Sequence, residues 1–359
     1  MEITTIDHLE LFVENADLTA LRLCESYGFA VRGRGGPETG LPGCRSILLV
    51  QHEITLLITS AIETDHRAAE YVRKHGEGVA VVGLSVLDAA AAFAAAVERG
   101  AIPVAPPDTM ELDGAGVTFA SVNGFGDVEH RFTSRTKPGG PFAPGRIEED
   151  GTVRAGGGLF ERVDHIAVLV PAGELDETVR RYQDVFGLAQ TFEEEIRVGT
   201  QAMNSKVVQN ASGAVTFTII EPDTTRDPGQ IDAFIAAHGG AGVQHIALLT
   251  GDIVTAVRTV SASGVRFLTT PPAYYDVLGD RLGEVGVPVS TLRELDILAD
   301  RDPQGVILQI FTETEHPRRT LFYELIDRRG ARTFGSNNIK ALYEAVDRHG
   351  DAATRSRRP

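Results

Sequence analysis

His238-Gly-Gly-Ala-Gly-Val-Gln-His245-Ile-Ala-Leu-Leu-Thr-Gly-Asp252-Ile sets a glycine turn directly before an apolar strand. An imidazole, His245, stands near the start of that strand beside an amide, Gln244. A polar ring on a buried strand is costly unless something binds it. The first half of the chain repeats the arrangement in Lys74-His75-Gly-Glu-Gly-Val-Ala-Val-Val-Gly-Leu-Ser-Val86. Aligning Gly242-Val243 with Gly78-Val79 sets His245 against Val81, so the two copies differ at this position.

Other segments recur in the same order. Phe160-Glu-Arg-Val-Asp-His165-Ile-Ala-Val-Leu-Val170 mirrors Ile6-Asp-His8-Leu-Glu-Leu-Phe-Val13, and Gly305–Thr312 mirrors Gly126–Thr133. His165 follows His8 by 157 residues, His238 follows His75 by 163 and Gly305 follows Gly126 by 179, so the second copy carries insertions, one of them at Tyr274–Leu295. A self-similarity of this length indicates duplicated domains. Each copy reads as two strand–helix–strand–strand–strand units. Helices are expected at Asp17–Tyr27, Asp88–Glu98 and Leu175–Phe186, each followed by a glycine stop. Short turns between consecutive strands favour an α+β fold of open, mixed-sheet barrels over a doubly wound parallel sheet. Pro138-Gly-Gly-Pro-Phe-Ala-Pro-Gly145 breaks regular structure, which divides the chain into residues 1–137, a linker at 138–158, and 159–359.

With 359 residues, 42% of them hydrophobic, the chain is long enough for two domains with cores of their own. A formal charge of −16 argues against nucleic acid. No apolar run reaches the ~18 residues of a membrane span, and Met1–His8 has no signal-peptide pattern. Two isolated cysteines, Cys24 and Cys44, suit a reducing cytoplasm. Self-association is left open, and the basic end Arg355–Pro359 reads as a frayed terminus.

If a site exists, it belongs in the copy that has the extra imidazole. Leu321-Phe-Tyr-Glu324-Leu-Ile-Asp-Arg328 supplies a carboxylate on a strand face shared with Phe322 and Ile326. His165, His245 and Glu324 are 80 and 79 residues apart, as if each came from an equivalent place in a repeated unit. Two imidazoles and one carboxylate with open positions suit non-haem Fe(II) oxygen chemistry, and Zn(II) fits the same donors. His75 and His238 precede glycines and read as helix-end residues.

Val163-Asp-His165, Gly242-Val-Gln-His245-Ile-Ala-Leu, Leu308-Gln-Ile-Phe311-Thr, Arg319-Thr-Leu-Phe-Tyr-Glu324 and Phe334-Gly-Ser-Asn-Asn-Ile-Lys-Ala-Leu342 together resemble the 4-hydroxyphenylpyruvate dioxygenase family, of the vicinal-oxygen-chelate fold. The first half resembles that family's degenerate domain more loosely. The resemblance implies Fe(II) on His165, His245 and Glu324. It implies a substrate pocket of Ser205, Gln230, Gln244, Gln309, Phe311, Phe322, Phe334 and Asn338, capped by a helix at Gly335–Val346. Its substrates are 4-hydroxyphenylpyruvate and O2. Ser205, Thr218 and Asn338 are then candidates for holding the phenol, while Gln244 and Gln309 hold the carboxylate or oxygen ligand, or else satisfy buried backbone. Three departures from the family pattern are Thr218-Ile-Ile220-Glu-Pro222 for Pro-x-Asn-Glu-Pro, Asn337-Asn338-Ile339 for Gly-Asn-Phe, and Phe322-Tyr323-Glu324 for Phe-Phe-Glu. They look like the hydroxymandelate synthase branch, which implies benzylic hydroxylation to (S)-4-hydroxymandelate on the way to 4-hydroxyphenylglycine for peptide antibiotics. The alternatives are homogentisate formation in tyrosine catabolism, and a metal-free binding or resistance protein of the same fold.

Overall fold

The first strand of every unit ends up at the centre of a sheet, and this placement positions the site. The computed structural model describes residues 1–153, 157–314, 316–338 and 340–341. The first copy comprises β1 (Ile3–Phe12), α1 (Ala16–Tyr27), β2 (Ala30–Gly35), β3 (Cys44–Gln51) and β4 (Ile54–Ala61). After α2 (Arg67–His75) come β5 (Gly78–Val86), α3 (Ala89–Glu98), β6 (Pro103–Leu112), β7 (Ala115–Phe125), β8 (Val128–Arg135) and the short β9 (Glu148–Glu149). The second copy repeats the plan with β10 (Arg162–Leu169), α4 (Leu175–Asp184), β11 (Ala189–Val198), β12 (Gln201–Gln209), β13 (Thr216–Pro222), α5 (Gln230–His238), β14 (Gly242–Leu249) and α6 (Ile253–Ala262). Three short helices, α7 (Pro272–Asp276), α8 (Leu278–Leu282) and α9 (Val289–Glu294), fill the expected insertion before β15 (Leu298–Arg301), β16 (Val306–Phe311) and β17 (Phe322–Arg329).

The sheets run β6-β7-β8-β5-β1-β4-β3-β2-β9 and β11-β12-β13-β10-β14-β17-β16-β15. In each, the opening strands of the two units meet antiparallel, and each also pairs in parallel with the last strand of its own unit. The result is two tandem curled half-barrels of mixed sheet, the α+β vicinal-oxygen-chelate architecture the sequence reading expects. Period-2 alternation sorts the faces. On β10, Ile166 and Val168 join the large apolar core, while Leu169 belongs to a smaller cluster with Ile220 and Phe234. That large core lies between the copies and takes in α1, α3, α4 and α6 together with strands of both sheets. Phe132, Tyr182, Phe186 and Phe217, all fully buried, bind the halves together, each worth about 1.5–3 kcal/mol of burial. Among the described residues no helix is long and apolar enough to cross a membrane.

Local signals account for the helix ends. Asp88 and Asp252, at matching places in the copies, accept the backbone N–H groups of Ala91 and Thr255 and so cap α3 and α6. Gly239, at φ 81°, closes α5 in the left-handed conformation. His75 and His238 are the last residues of α2 and α5, the helix-end role the glycines suggested. Two readings need correction. His245 stands fourth in β14, not near its start, because Gly242 already pairs with Leu169. Gly305–Thr312 is not the counterpart of Gly126–Thr133. Register equates β8 with β17, since Gly83 faces Arg131 where Ala247 faces Glu324. Neighbouring strands of one meander carry similar apolar patterns, which is what misaligned them.

The segment at 138–158 contributes structure to the first copy. Glu148 and Glu149 add a strand beside β2, and Phe142, Ala143 and Ile147 are buried against Leu48, Leu57 and Met110.

Candidate metal centre

His165 and His245 enter the cavity from the paired central strands of the second copy. In that antiparallel pair His165 faces Ala247 and Ala167 faces His245, so both imidazoles lie on one side of the sheet. Glu324 joins them from β17, opposite Ala247. The two histidines do occupy equivalent places, each on the first strand of its unit. Glu324 comes from a last strand, so the near-equal sequence spacing does not express a threefold equivalence. The place equivalent to Glu324 is taken by Thr218, which faces Ala167 on β13.

One ligand atom from each of His165, His245 and Glu324 lies within 4.8 Å of the others, and all three residues are buried. Glu324 Oε2 is 3.2 Å from His165 Nε2 and 3.3 Å from His245 Nε2. Such separations suit donors that each reach a central ion at ~2.0–2.2 Å. Neighbours fix which atoms face inward. Asp164 Oδ1 lies 2.9 Å from His165 Nδ1, and Gln244 Oε1 lies 3.2 Å from His245 Nδ1, so both Nε2 atoms are turned to the cavity. Arg328 donates two hydrogen bonds to Asp164, at 2.7 and 2.9 Å, and its guanidinium lies over Phe334. Gln309 donates to Glu324 Oε1 at 2.7 Å and accepts from Asn338 at 2.7 Å, while the Tyr274 hydroxyl donates to Asn338 at 2.9 Å. The insertion helix α7 thus reaches the carboxylate through three side chains. Gly335, at φ 70°, makes room for the relay, because a Cβ there would lie 2.5 Å from Gln309 Oε1.

The electrostatics follow from this enclosure. Burial works against the His165 imidazolium, yet Glu324 and Asp164 outweigh it and raise its pKa to about 9. Burial likewise opposes ionisation of Glu324, but the two imidazoles hold it down to about 2. His245 is pushed below its ordinary value by burial. The trio therefore presents a carboxylate between two imidazoles in a buried pocket, a donor set that could hold a divalent metal ion.

The cavity wall is built in rows across the sheet. Thr218, Val207 and Phe192 continue the row of His245 and Ala167; Ile220, Ser205 and Glu194 form the next. All of these except Ala167 line the cavity, with Gln309, Phe311 and Phe334 completing it beside the three candidate ligands. Of the residues expected from the sequence, Ser205, Thr218, Ile220, Gln309, Phe311 and Phe334 thus line the space. Phe322 stacks on the His245 ring at 5.0 Å. Gln244 contacts His245, and Asn338 contacts Gln309 and Tyr274, so both brace the site from behind the lining. Gln230 opens α5 outside the cavity lining. Ile339, and Leu342–Val346 of the expected capping helix, lie outside the described residues; Ser336–Asn338 are helical. Sequence reading missed Phe192, Glu194 and Val207 in the wall, and Asp164, Tyr274 and Arg328 behind it. The doublets Asp7-His8 and Asp164-His165 were a visible signal for Asp164.

Comparison with known proteins agrees with this geometry. Residues 164–281 match the Glyoxalase/Bleomycin resistance protein/Dioxygenase superfamily. The 4-hydroxyphenylpyruvate dioxygenase of Danio rerio is 33% identical over 358 residues, covering 96% of this chain and 90% of that protein. The enzyme of that name from Aspergillus fumigatus is 31% identical over 368 residues, covering 95% and 91%. A mutant of 4-hydroxymandelate synthase from Streptomyces coelicolor has the same fold with a TM-score of 0.88 and 41% identity, over 97% of this chain and 99% of that one.

Proposed function

The chain belongs to the 4-hydroxyphenylpyruvate dioxygenase family, and from that premise we propose that it is an Fe(II)-dependent 4-hydroxymandelate synthase. The reaction consumes 4-hydroxyphenylpyruvate and O2 and yields (S)-4-hydroxymandelate and CO2, one oxygen atom entering the benzylic C–H bond and the other the new carboxylate. Residues 159–359 carry the catalysis, and residues 1–137 serve as its structural partner. His165, His245 and Glu324 would hold the iron, which supplies the chelation of a 2-oxo acid and the activation of O2.

The chain's own side chains do the remaining work. Asp164 and Gln244 hold the two imidazoles with Nε2 inward, and Gln309 holds the carboxylate. Thr218, uncharged at the place equivalent to Glu324, leaves the side of the site facing β13 free for substrate. Phe192, Phe311 and Phe334 supply an apolar enclosure for an aromatic ring and exclude water.

Ile220 carries the choice of product. It lies on the cavity wall beside Ser205, apolar, where the homogentisate-forming pattern has an asparagine. Without that amide the ring has no hydrogen bond holding it over the reacting centre, and the benzylic carbon takes its place. A displacement of about an ångström suffices to redirect a reaction. Ile339, in place of phenylalanine, acts in the same sense on sequence grounds. Aerobic turnover with Fe(II), followed by chromatography of the product, tests the reading. 4-Hydroxymandelate is expected, and homogentisate as the sole product overturns it in favour of the ring-hydroxylating activity. The double variant Ile220→Asn/Ile339→Phe should divert part of the flux to homogentisate. An unchanged product would remove both residues from the account.

A further inference from the structure

Glu194 is a second carboxylate in the cavity, apart from the candidate metal ligands. It lines the same cavity as His165, His245 and Glu324. Its Oε2 atom is buried and has no hydrogen-bond partner, the one such carboxylate oxygen in the second copy among the described residues. An unsatisfied buried carboxylate oxygen is expensive to maintain, and a ligand donor is the natural way to satisfy it. Its neighbours on the same strand are paired: Glu193 faces Gln190 and Lys206, and Glu195 accepts from Arg197.

Register places Glu194 at the end of a row. It faces Ser205 on β12, which faces Ile220 on β13. β13 is next to the β10 strand that carries His165. Three strand-to-strand steps of ~4.8 Å separate β11 from β10, shortened by the curl of the sheet, so the wall is long enough for a para-substituted phenyl ring with a three-carbon acid chain. The cavity thus has a carboxylate at each end, with Phe192, Val207 and Ile220 among the side chains between them. One end has the candidate cation site, the other an anionic acceptor.

We propose that Glu194 accepts the hydrogen bond of the substrate's phenolic hydroxyl and so selects 4-hydroxylated over unsubstituted aryl 2-oxo acids. Glu194 is a positioning residue, and its role rests on the proposed function. Of the hydroxyl and amide side chains considered for the phenol, Asn338 is already bonded to Gln309 and Tyr274, and Ser205 and Thr218 are neutral. A hydrogen bond to a carboxylate is the stronger kind.

The test is anaerobic calorimetric titration of the metal-loaded full chain with 4-hydroxyphenylpyruvate and with phenylpyruvate, for wild type, Glu194→Gln, Glu194→Ala and the outward-facing control Glu193→Ala. Wild type should bind the hydroxylated acid about ten- to a hundredfold more tightly, because phenylpyruvate leaves the carboxylate unpaired. Glu194→Ala should abolish that ratio by weakening only the hydroxylated acid. Glu194→Gln should fall between, and Glu193→Ala should match wild type. Equal binding of the two acids by wild type, or equal weakening of both in Glu194→Ala, overturns the role of Glu194 and leaves the proposed function standing. Failure of wild type to bind either acid overturns both.

Discussion

The two copies share a frame and differ in what occupies it. In the second, Arg328 pairs with Asp164, Asp164 orients His165, and Phe334 meets the His165 ring edge to face at 5.2 Å. In the first, Arg135 pairs with Asp7, Asp7 orients His8, and Phe142 meets the His8 ring edge to face at 4.9 Å. The divergence lies in the next ring of positions. Val81 stands for His245, and Arg131 stands for Glu324. Arg131 Nη2 forms an ion pair with Glu10 Oε2 at 2.9 Å and its Nη1 lies 3.2 Å from His8 Nε2. A guanidinium of the chain itself thus occupies the ground where the other copy offers a carboxylate to a cation. The first cluster carries its own guanidinium at this place, and the second leaves its donors facing the cavity. This contrast predicts the largest effect. Glu324→Gln should keep the Gln309 contact and the fold, since His165 then relaxes to neutral, yet lose metal affinity and O2 uptake by more than about a hundredfold. Even partners one step removed from a metal ligand are worth ~10–100-fold. Metal analysis after dialysis and an oxygen electrode read it; retained iron with full turnover would contradict the ligand assignment.

The corresponding change in the first copy should do the opposite. Arg131→Met leaves Glu10 buried without its main counter-charge; burial opposes ionisation of that carboxylate, and Arg131 leads the groups that hold its pKa down. Removing one member of a buried pair costs about 3–5 kcal/mol. Chemical denaturation should show that loss, while the folded fraction turns over substrate at the wild-type rate. Reduced turnover per folded molecule at unchanged stability would mean that the first copy takes part in catalysis.

The legible parts of the molecule were those with local signals. Glycine turns, glycine helix stops and recurring apolar strand segments marked the repeat, and the repeat localised His245 by its mismatch with Val81. The three candidate ligands were readable because polar residues inside apolar strands stand out. Glu194 was not, because Glu193-Glu-Glu195 reads as a solvated run, and only alternation on β11 turns the middle one inward. β6 was missed because Pro106 and Pro107 interrupt it, which an edge strand pairing only with β7 tolerates. Phe142 sat in a stretch of Pro and Gly that concealed its packing against His8. Arg131 stayed invisible as the counterpart of Glu324 until strand register separated β8 from β16.

The smallest expected effect concerns the seam between the copies, where the matched helix ends meet. The rings of His75 and His238 stack at 4.4 Å, and His75 Nδ1 lies 2.8 Å from the His238 carbonyl oxygen. Asp127 lies 2.8 Å from His75 Nε2, Tyr71 packs on the His75 ring, and Arg318 donates to the Lys74 carbonyl nearby. Burial, with His75 beside it, lowers the pKa of His238 to about 4. As pH falls below ~6.5 the unfolded chain takes up a proton at this position, while the folded chain resists until about 4. This contribution to stability is therefore complete above pH ~6.5, drains away across that window, and amounts to about 3 kcal/mol. His238→Phe keeps an aromatic ring against Phe234 and has no proton to take up. Its unfolding free energy should fall less steeply than that of wild type between those pH values. Identical slopes would mean that the paired helix ends hold the copies together without regard to charge.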